Sequence, residues 1–233
     1  VSPTVNEVWQ SAFGIAWPQK IVCVGRNYGA HAGEEGEEPP ATPLLFAKFA
    51  NTIVGPGASI ELPEGIGHVD AEAELAVVIG ATARRRSPAQ ALDVVAGYTV
   101  ANDVSAREAQ SADGQWFRAK GYDTFCPILP SFVERREIGD GRGLRVTQRL
   151  NGVLMQDAST DELLFDVATL VAYCSSVCTL EPGDLILTGT PGGAGYFREP
   201  PVSLVAGDVV EVAIEGIGTL TNPVAAAPAA GIR

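Results

Sequence analysis

The sequence predicts an α+β fold in which strands predominate. Three observations carry this reading. Apolar or alternating runs of strand length recur along the chain, only two stretches have helical character, and strands do not alternate with helices as a parallel fold requires. Ile21–Val24 opens the series, followed by Leu44–Ala47 and then Glu74–Ile79. Ser87-Pro88 next forms a cap and first-turn pair, starting a short helix that Gly97 ends. Tyr98–Ala101 is the following strand, and Leu144–Leu150 alternates as a strand with one wet face does. From Asp166 to about Cys178 a second helix places Val167, Leu170, Val171, Cys174 and Val177 on one stripe. Cys174 and Cys178 lie one turn apart with no His or further Cys nearby, and read as packing residues. Leu185–Leu187, like Ile21–Val24, Leu44–Ala47 and the run after Glu74, is apolar throughout, predicting burial on both faces. Val209–Ile214 is interrupted by Glu211, and Glu215–Gly218 turns the chain into Thr219–Thr221.

With 233 residues, 46% of them apolar and 19% charged, the chain is a folded protein with one large domain and at most a small appendage. Its 16 basic residues against 28 acidic ones give a net charge of −12, which argues against nucleic acid and anionic membranes as partners. No apolar run approaches the roughly 20 residues that span a bilayer. The first residues show neither the basic stretch nor the apolar core of an export signal, and four scattered cysteines make no disulfide scaffold. A cytosolic protein is expected. Arg84–Arg86 reads as a solvated loop.

Glu72 and Glu74 are the most unusual feature. They open an otherwise apolar strand, and residues two apart on a strand share a face. Two adjacent anions at the mouth of a buried strand repel unless a cation or proton lies between them. Asp103 ends the next strand; if the two strands are neighbours, it completes a three-carboxylate site suited to Mg²⁺ or Mn²⁺ rather than Zn²⁺. The alternative is a solvated edge. His68 and Asp70 share the same parity, but six residues of strand, about 20 Å at roughly 3.3 Å each, separate His68 from Glu74. His68 therefore reads as a loop histidine.

The remaining histidine, His31, lies in the Gly/Glu/Pro-rich stretch Gly29–Pro40, which reads as a mobile surface loop. Spacing of three puts Glu34 beside it on a helical turn, where a carboxylate orients an imidazole as a general base. Glycines at 29, 33 and 36 weaken such a helix, so it would order on ligand closure. Gly189–Gly195 lacks the Lys-Ser/Thr ending of a phosphate loop; its N–H groups and Thr190 would suit a carboxylate, or form a plain turn.

These signals fall into one order along the chain: Gly25-Arg26-Asn27-Tyr28 with His31 and Glu34; Glu72-Ala73-Glu74-Leu75-Ala76; Asn102-Asp103-Val104-Ser105-Ala106-Arg107; Lys120 before Asp123-Thr124-Phe125-Cys126-Pro127; and Leu187-Thr188-Gly189-Thr190-Pro191. From about Lys20 to Pro223 the sequence resembles the fumarylacetoacetate hydrolase family in its short, single-catalytic-domain form. The resemblance implies a mixed β-roll over residues 20–224, an extension over 1–19, a flexible tail over 225–233, and a homodimer. It implies that Glu72, Glu74 and Asp103 hold Mg²⁺, with Mn²⁺ or Ca²⁺ as substitutes. Lys120 would polarise the substrate, Arg26, Tyr28, Arg107, Gln110 and Thr190 would bind it, and His31 and Glu34 would activate water from a lid.

The implied substrates are 2-keto or 1,3-diketo acids, handled through a metal-stabilised enolate. Hydrolysis of an acylpyruvate or fumarylpyruvate ranks first because the water-activating pair is present. Oxaloacetate-type decarboxylation ranks second and isomerisation of an unsaturated keto acid third. A non-catalytic binding protein is the reading from another class, and the presence of both His31 and Lys120 argues against it. Three positions depart from the family pattern: Glu108-Ala109 where Asp-Leu is usual, Ala194 within Gly193-Ala194-Gly195, and Ala71 where an aromatic is common. They predict a roomier or differently shaped pocket.

Overall fold

Two sheets packed face to face set the architecture of the computed structural model, which describes residues 4–15, 17–34 and 36–228. In chain order the strands are β1 (Ile21–Gly25), β2 (Leu44–Lys48), β3 (Ile53–Val54), β4 (Ile60–Leu62), β5 (Val69–Asp70), β6 (Ala73–Ile79), β7 (Val95–Asn102) and β8 (Ser105–Ala106). They continue as β9 (Cys126–Pro127), β10 (Val133–Glu134), β11 (Arg145–Leu150), β12 (Val153–Ser159), β13 (Leu185–Leu187), β14 (Val209–Ile214) and β15 (Gly218–Ala226). The helices are α1 (Val5–Phe13), α2 (Gly29–Glu34), α3 (Pro88–Ala91), α4 (Arg107–Asp113), α5 (Phe117–Lys120), α6 (Arg135–Ile138) and α7 (Val167–Val177). The α+β, mostly β class read from the sequence is the class observed.

One sheet has the order β10-β7-β6-β13-β1-β2 and is antiparallel except where β1 runs parallel to β13. The other has the order β12-β11-β14-β15-β4, with β4 parallel to β15. Leu75, Val77 and Ile79 of β6 face the second sheet and pack with Val146, Val212 and Leu220. Ala76 and Val78 point the other way, joining Leu185, Leu187 and Trp9 of α1. Period-two burial on both faces explains the uninterrupted apolar run in β6, each Val, Leu or Ile contributing about 1.5–3 kcal/mol. Helix α1 thus contributes a cover: Trp9 is fully buried and donates from Nε1 to the Gly183 carbonyl at 2.7 Å.

Several expectations are corrected. Leu44–Ala47 is not buried on both faces; β2 is an edge strand, and only its last residue, Lys48, is buried. The helix after Ser87 ends at Ala91, with a 3-10 turn to Val94, and Gly97 lies inside β7. Gly97 is there because β10 comes so close that an added Cβ would lie 2.1 Å from the Val133 carbonyl oxygen. Val177, the last residue of α7, is 66% exposed and so does not share the buried stripe. Ala225 and Ala226 pair with Glu61 and Leu62 in β15 rather than opening a tail, and residues 229–233 lie outside the described ones. Among the described residues, α4, α5 and α6 are too short to show an apolar stripe in sequence, whereas α1 has one, its Val5 and Trp9 being buried. Among the described residues no helix is long and apolar enough to cross a membrane.

Candidate active site

β6 and β7 pair so that Ala73 faces Asn102 and Glu74 faces Ala101. That register brings Asp103, one residue past β7, beside Glu72, one residue before β6. The Asp103 N–H donates to the Glu72 carbonyl at 2.9 Å, and the Glu72 N–H to Asn102 Oδ1 at 2.9 Å. Glu72, Glu74 and Asp103 are all buried, each offering an oxygen within 4.8 Å of the others'. The solvated-edge alternative is excluded, and the conditional neighbourhood of the two strands is met.

Buried cations surround two of the three carboxylates. Lys120 Nζ lies 2.7 Å from both Glu72 Oε2 and Asp103 Oδ2, and Lys48 Nζ 2.5 Å from Asp103 Oδ1. Arg107 binds Glu72 and also Asp70, the latter at 3.0 Å. Burial opposes the charge of Glu72, but Arg107 and Lys120 overcome it and hold its carboxyl well below the usual range. Burial likewise disfavours the Lys120 cation, yet Asp103 and Glu72 keep it charged beyond the ordinary lysine range. Glu74 differs. Its hydrogen bond is from the Gly189 N–H at 2.7 Å, and no cation stands within ion-pair distance of it among the described residues. Burial, Asp103 and Glu72 together push its carboxyl well above the usual value.

A buried set of three carboxylate oxygens, one lacking a counter-cation, is the donor chemistry of a hard divalent ion. Glu72, Glu74 and Asp103 fit such an ion. Because Glu74 must lose its proton to ligate, apparent affinity should rise with pH by up to about one decade per unit until Glu74 is ionised in the ion-free protein. Calorimetry in two buffers of different ionisation enthalpy checks this: up to one proton should be released per ion bound, and pH-independent affinity would remove the assignment.

The glycine-rich segment after β13 binds carboxylates, as its N–H groups suggested, but the protein's own. Gly189 N–H donates to Glu74 at 2.7 Å, Gly193 N–H to Glu34 Oε1 at 2.8 Å, and Gly195 N–H to Asp70 Oδ1 at 2.8 Å. Gly193 has φ +100, and an added Cβ would lie 2.3 Å from the Met155 carbonyl oxygen, so glycine is required there. The expected surface loop after Gly29 contains α2, whose His31 and Ala32 are buried. His31 Nδ1 stands 3.4 Å from Glu34 Oε2, a contact longer than an ordinary hydrogen bond.

His31, the three carboxylates, Lys120, Thr190, Arg26 and Gln110 all line one small cavity of about 10 Å³, with Phe46 and Trp116 also in its wall. Glu34 stands behind His31. Arg107 is at an adjoining depression, with its Nη1 donating to Gln110 Oε1 at 3.0 Å. Tyr28 lies outside the lining; it is buried, and burial with Glu74 raises its phenol. Cys174 is a packed core residue, and His68 is in the loop before β5, its ring against Tyr196.

The sequence reading missed four contributors. Lys48 gave a faint signal as a lysine ending an apolar strand. Gln156 gave none; from β12 it donates to Thr190 Oγ1 at 2.8 Å and accepts from the Ala73 N–H at 2.9 Å. Asp70 was weighed only as an ion ligand, whereas it receives Arg107. Trp116 was not considered, yet its ring is so close to β1 that a Cβ on Gly25 would lie 2.6 Å from it.

The fumarylacetoacetate (FAA) hydrolase C-terminal family matches residues 20–225. The chain belongs to the fumarylacetoacetate hydrolase family. Within that family it is 46% identical over 89% of its length to a mitochondrial oxaloacetate tautomerase of Xenopus laevis, of which it spans 66%. It superposes on a 5-carboxymethyl-2-hydroxymuconate delta-isomerase from Mycobacterium smegmatis with a TM-score of 0.81 and 44% identity, covering 91% of this chain and 80% of that one. A fumarylpyruvate hydrolase from Pseudomonas aeruginosa, solved with Mn²⁺ and pyruvate, matches with a TM-score of 0.80 and 32% identity over 90% of both chains. Family relatives thus include a hydrolase, an isomerase and a tautomerase.

Proposed function

We propose that the protein is a divalent-ion-dependent tautomerase that interconverts the enol and keto forms of a compact 2-keto diacid of the oxaloacetate type. The carrying observation is the placement of the His31–Glu34 pair beside three buried carboxylates, with Lys120 and Thr190 lining the same small cavity. The tautomerase named above, at 46% identity, supports the same reading.

Glu72, Glu74 and Asp103 would hold the ion, which when bound would supply Lewis-acid polarisation of a keto oxygen. Thr190, fixed by Gln156, binds the substrate carboxylate through its hydroxyl. His31 takes the proton from the enol oxygen and returns one to the adjacent carbon, while Glu34 steadies the imidazole from the Nδ1 side. Lys120 places a fixed positive charge beside the oxyanion as it forms. Phe46 and Trp116 exclude water from the reacting atoms. Hydrolysis of an acylpyruvate is the second reading, supported by the same pair, which also suits water activation, and by the fumarylpyruvate hydrolase relative.

Loss of enol absorbance from fresh enol-oxaloacetate, followed beside cleavage of an acylpyruvate with Mg²⁺ and with chelator, separates the two. Mg²⁺-dependent acceleration of enol loss is expected. Acylpyruvate cleavage without it would overturn the tautomerase reading in favour of hydrolysis. His31→Ala and Glu34→Ala should each slow the reaction by roughly 10²-fold, as for loss of a general acid–base group. Unimpaired turnover in either variant would remove the pair from the chemistry.

A further inference from the structure

His31 and Glu34 dock on the same short segment, the one from Gly193 to Phe197 that follows the strand β13. Glu34 takes the Gly193 N–H at 2.8 Å, and the His31 ring meets Phe197 edge-to-face, centroids 5.5 Å apart and planes at 80°. The opposite neighbour of Phe197 is Arg107, whose guanidinium carbon lies 5.1 Å from the ring centroid. One half-buried phenyl ring therefore touches both the proton carrier and the cation that binds Glu72.

The turn carrying that ring is fixed from several directions. Asp70 accepts the Gly195 N–H at 2.8 Å and the Tyr196 N–H at 3.1 Å, while its Oδ2 also receives Arg107. The Val202 N–H donates to the Gly195 carbonyl at 2.9 Å, and a Cβ on Gly195 would lie 2.1 Å from the Val202 carbonyl oxygen. Arg198 ties the segment to β12 by donating to the Gly193 carbonyl at 3.2 Å and the Met155 carbonyl at 2.8 Å. By contrast, α2 is six residues long and contains two glycines, too little to hold its own shape.

We infer that Phe197 is a positioning residue: on a turn fixed by Asp70, it sets the His31 ring over the carboxylates and holds the Arg107 guanidinium in the plane that reaches Glu72. This rests on the assignment of His31 as proton carrier. The chemistry needs no new group; the ring acts through the two side chains it touches, since edge-to-face and cation–π contacts fix orientation as well as distance.

Two measurements on the full chain test it. Hydrogen exchange without substrate reads α2, where the Ala32 N–H is bonded to the Tyr28 carbonyl at 3.0 Å. Phe197→Leu should speed exchange there by roughly 5–10-fold, the loss of one edge-to-face contact, and leave β6 and β7 unchanged; Phe197→Tyr should restore protection. With Mg²⁺ and enol-oxaloacetate, Phe197→Leu should lower kcat about tenfold with KM held within about twofold, and by a clearly smaller factor in a His31→Ala background, where only the Arg107 contact is left to lose. Unaltered α2 exchange, or the same loss with and without His31, would overturn the proposal. If the wild-type protein does not turn over enol-oxaloacetate, the tautomerase reading fails on its own, and the exchange result still decides the role of Phe197.

Discussion

Glu74→Gln should abolish turnover, by at least about 10³-fold, and with it divalent-ion affinity, while leaving the ion-free protein as stable as the wild type or more so. The two halves follow from one observation. Burial, Asp103 and Glu72 outweigh the nearby Lys120 charge and the Gly189 N–H, so the Glu74 carboxyl is pushed well above the usual value. An acid with a raised folded-state pKa binds more protons folded than unfolded across the interval between the two values. Stability of the ion-free wild type should therefore fall as pH rises through that interval. Glutamine fills the same space, cannot ionise, and should remove that component of the pH dependence. Thermal melts across pH with chelator, beside Mg²⁺ titrations, read both effects. A Glu74→Gln protein that is greatly destabilised without ions, or that still binds Mg²⁺ at wild-type affinity, would contradict the role given to Glu74.

Lys120→Met is expected to have the largest structural effect. The ammonium is 2% exposed and bridges Glu72 and Asp103 at 2.7 Å each. Removing one partner of a buried ion pair leaves uncompensated charge and costs about 3–5 kcal/mol. At roughly 2–4 °C per kcal/mol for a chain of this size, the ion-free melting temperature should fall by about 6–20 °C. Mg²⁺ should restore part of the loss, by about 2.7 kcal/mol at a hundredfold excess over Kd, because it neutralises the same carboxylates. Turnover should stay at least about 10²-fold down even with Mg²⁺, since the fixed positive charge beside the oxyanion is gone. Full recovery of turnover by Mg²⁺ would reduce Lys120 to a counter-ion.

Much of the chemistry was legible because it was written as local contradictions. Glu72 and Glu74 stand out because carboxylates at the head of the run Leu75–Ile79 conflict with burial unless something neutralises them. His31 and Glu34 stand out because spacing of three in a helical turn places them side by side. Lys48, Asp70, Gln156 and Phe197 carried no such contradiction. Lys48 lies 55 residues from Asp103, and Gln156 lies 34 from Thr190. Each looks ordinary within its own window.

The strands show the same division. Periodicity located β1, β6, β7, β11, β13 and β14 because a strand's side chains alternate whatever it pairs with. It misjudged β2 because an apolar run does not say whether a neighbour exists on each side. It also missed the helices α4 and α5, whose amphipathic signal is short and whose place is set by what they cover.

By itself, then, the sequence determined the class of the fold, the strands that alternate or bury wholly, and the residues able to hold an ion or move a proton. Those are properties of side chains and of local backbone periods. Only the tertiary structure decided that β6 and β7 pair in the register that brings Glu72 beside Asp103. Only it decided that Glu74, alone of the three, has no cation within ion-pair distance among the described residues, and that the proton-carrying pair rests on the turn held by Asp70. Register, counter-charge and docking are sums over residues far apart in the chain, and no local window contains both terms.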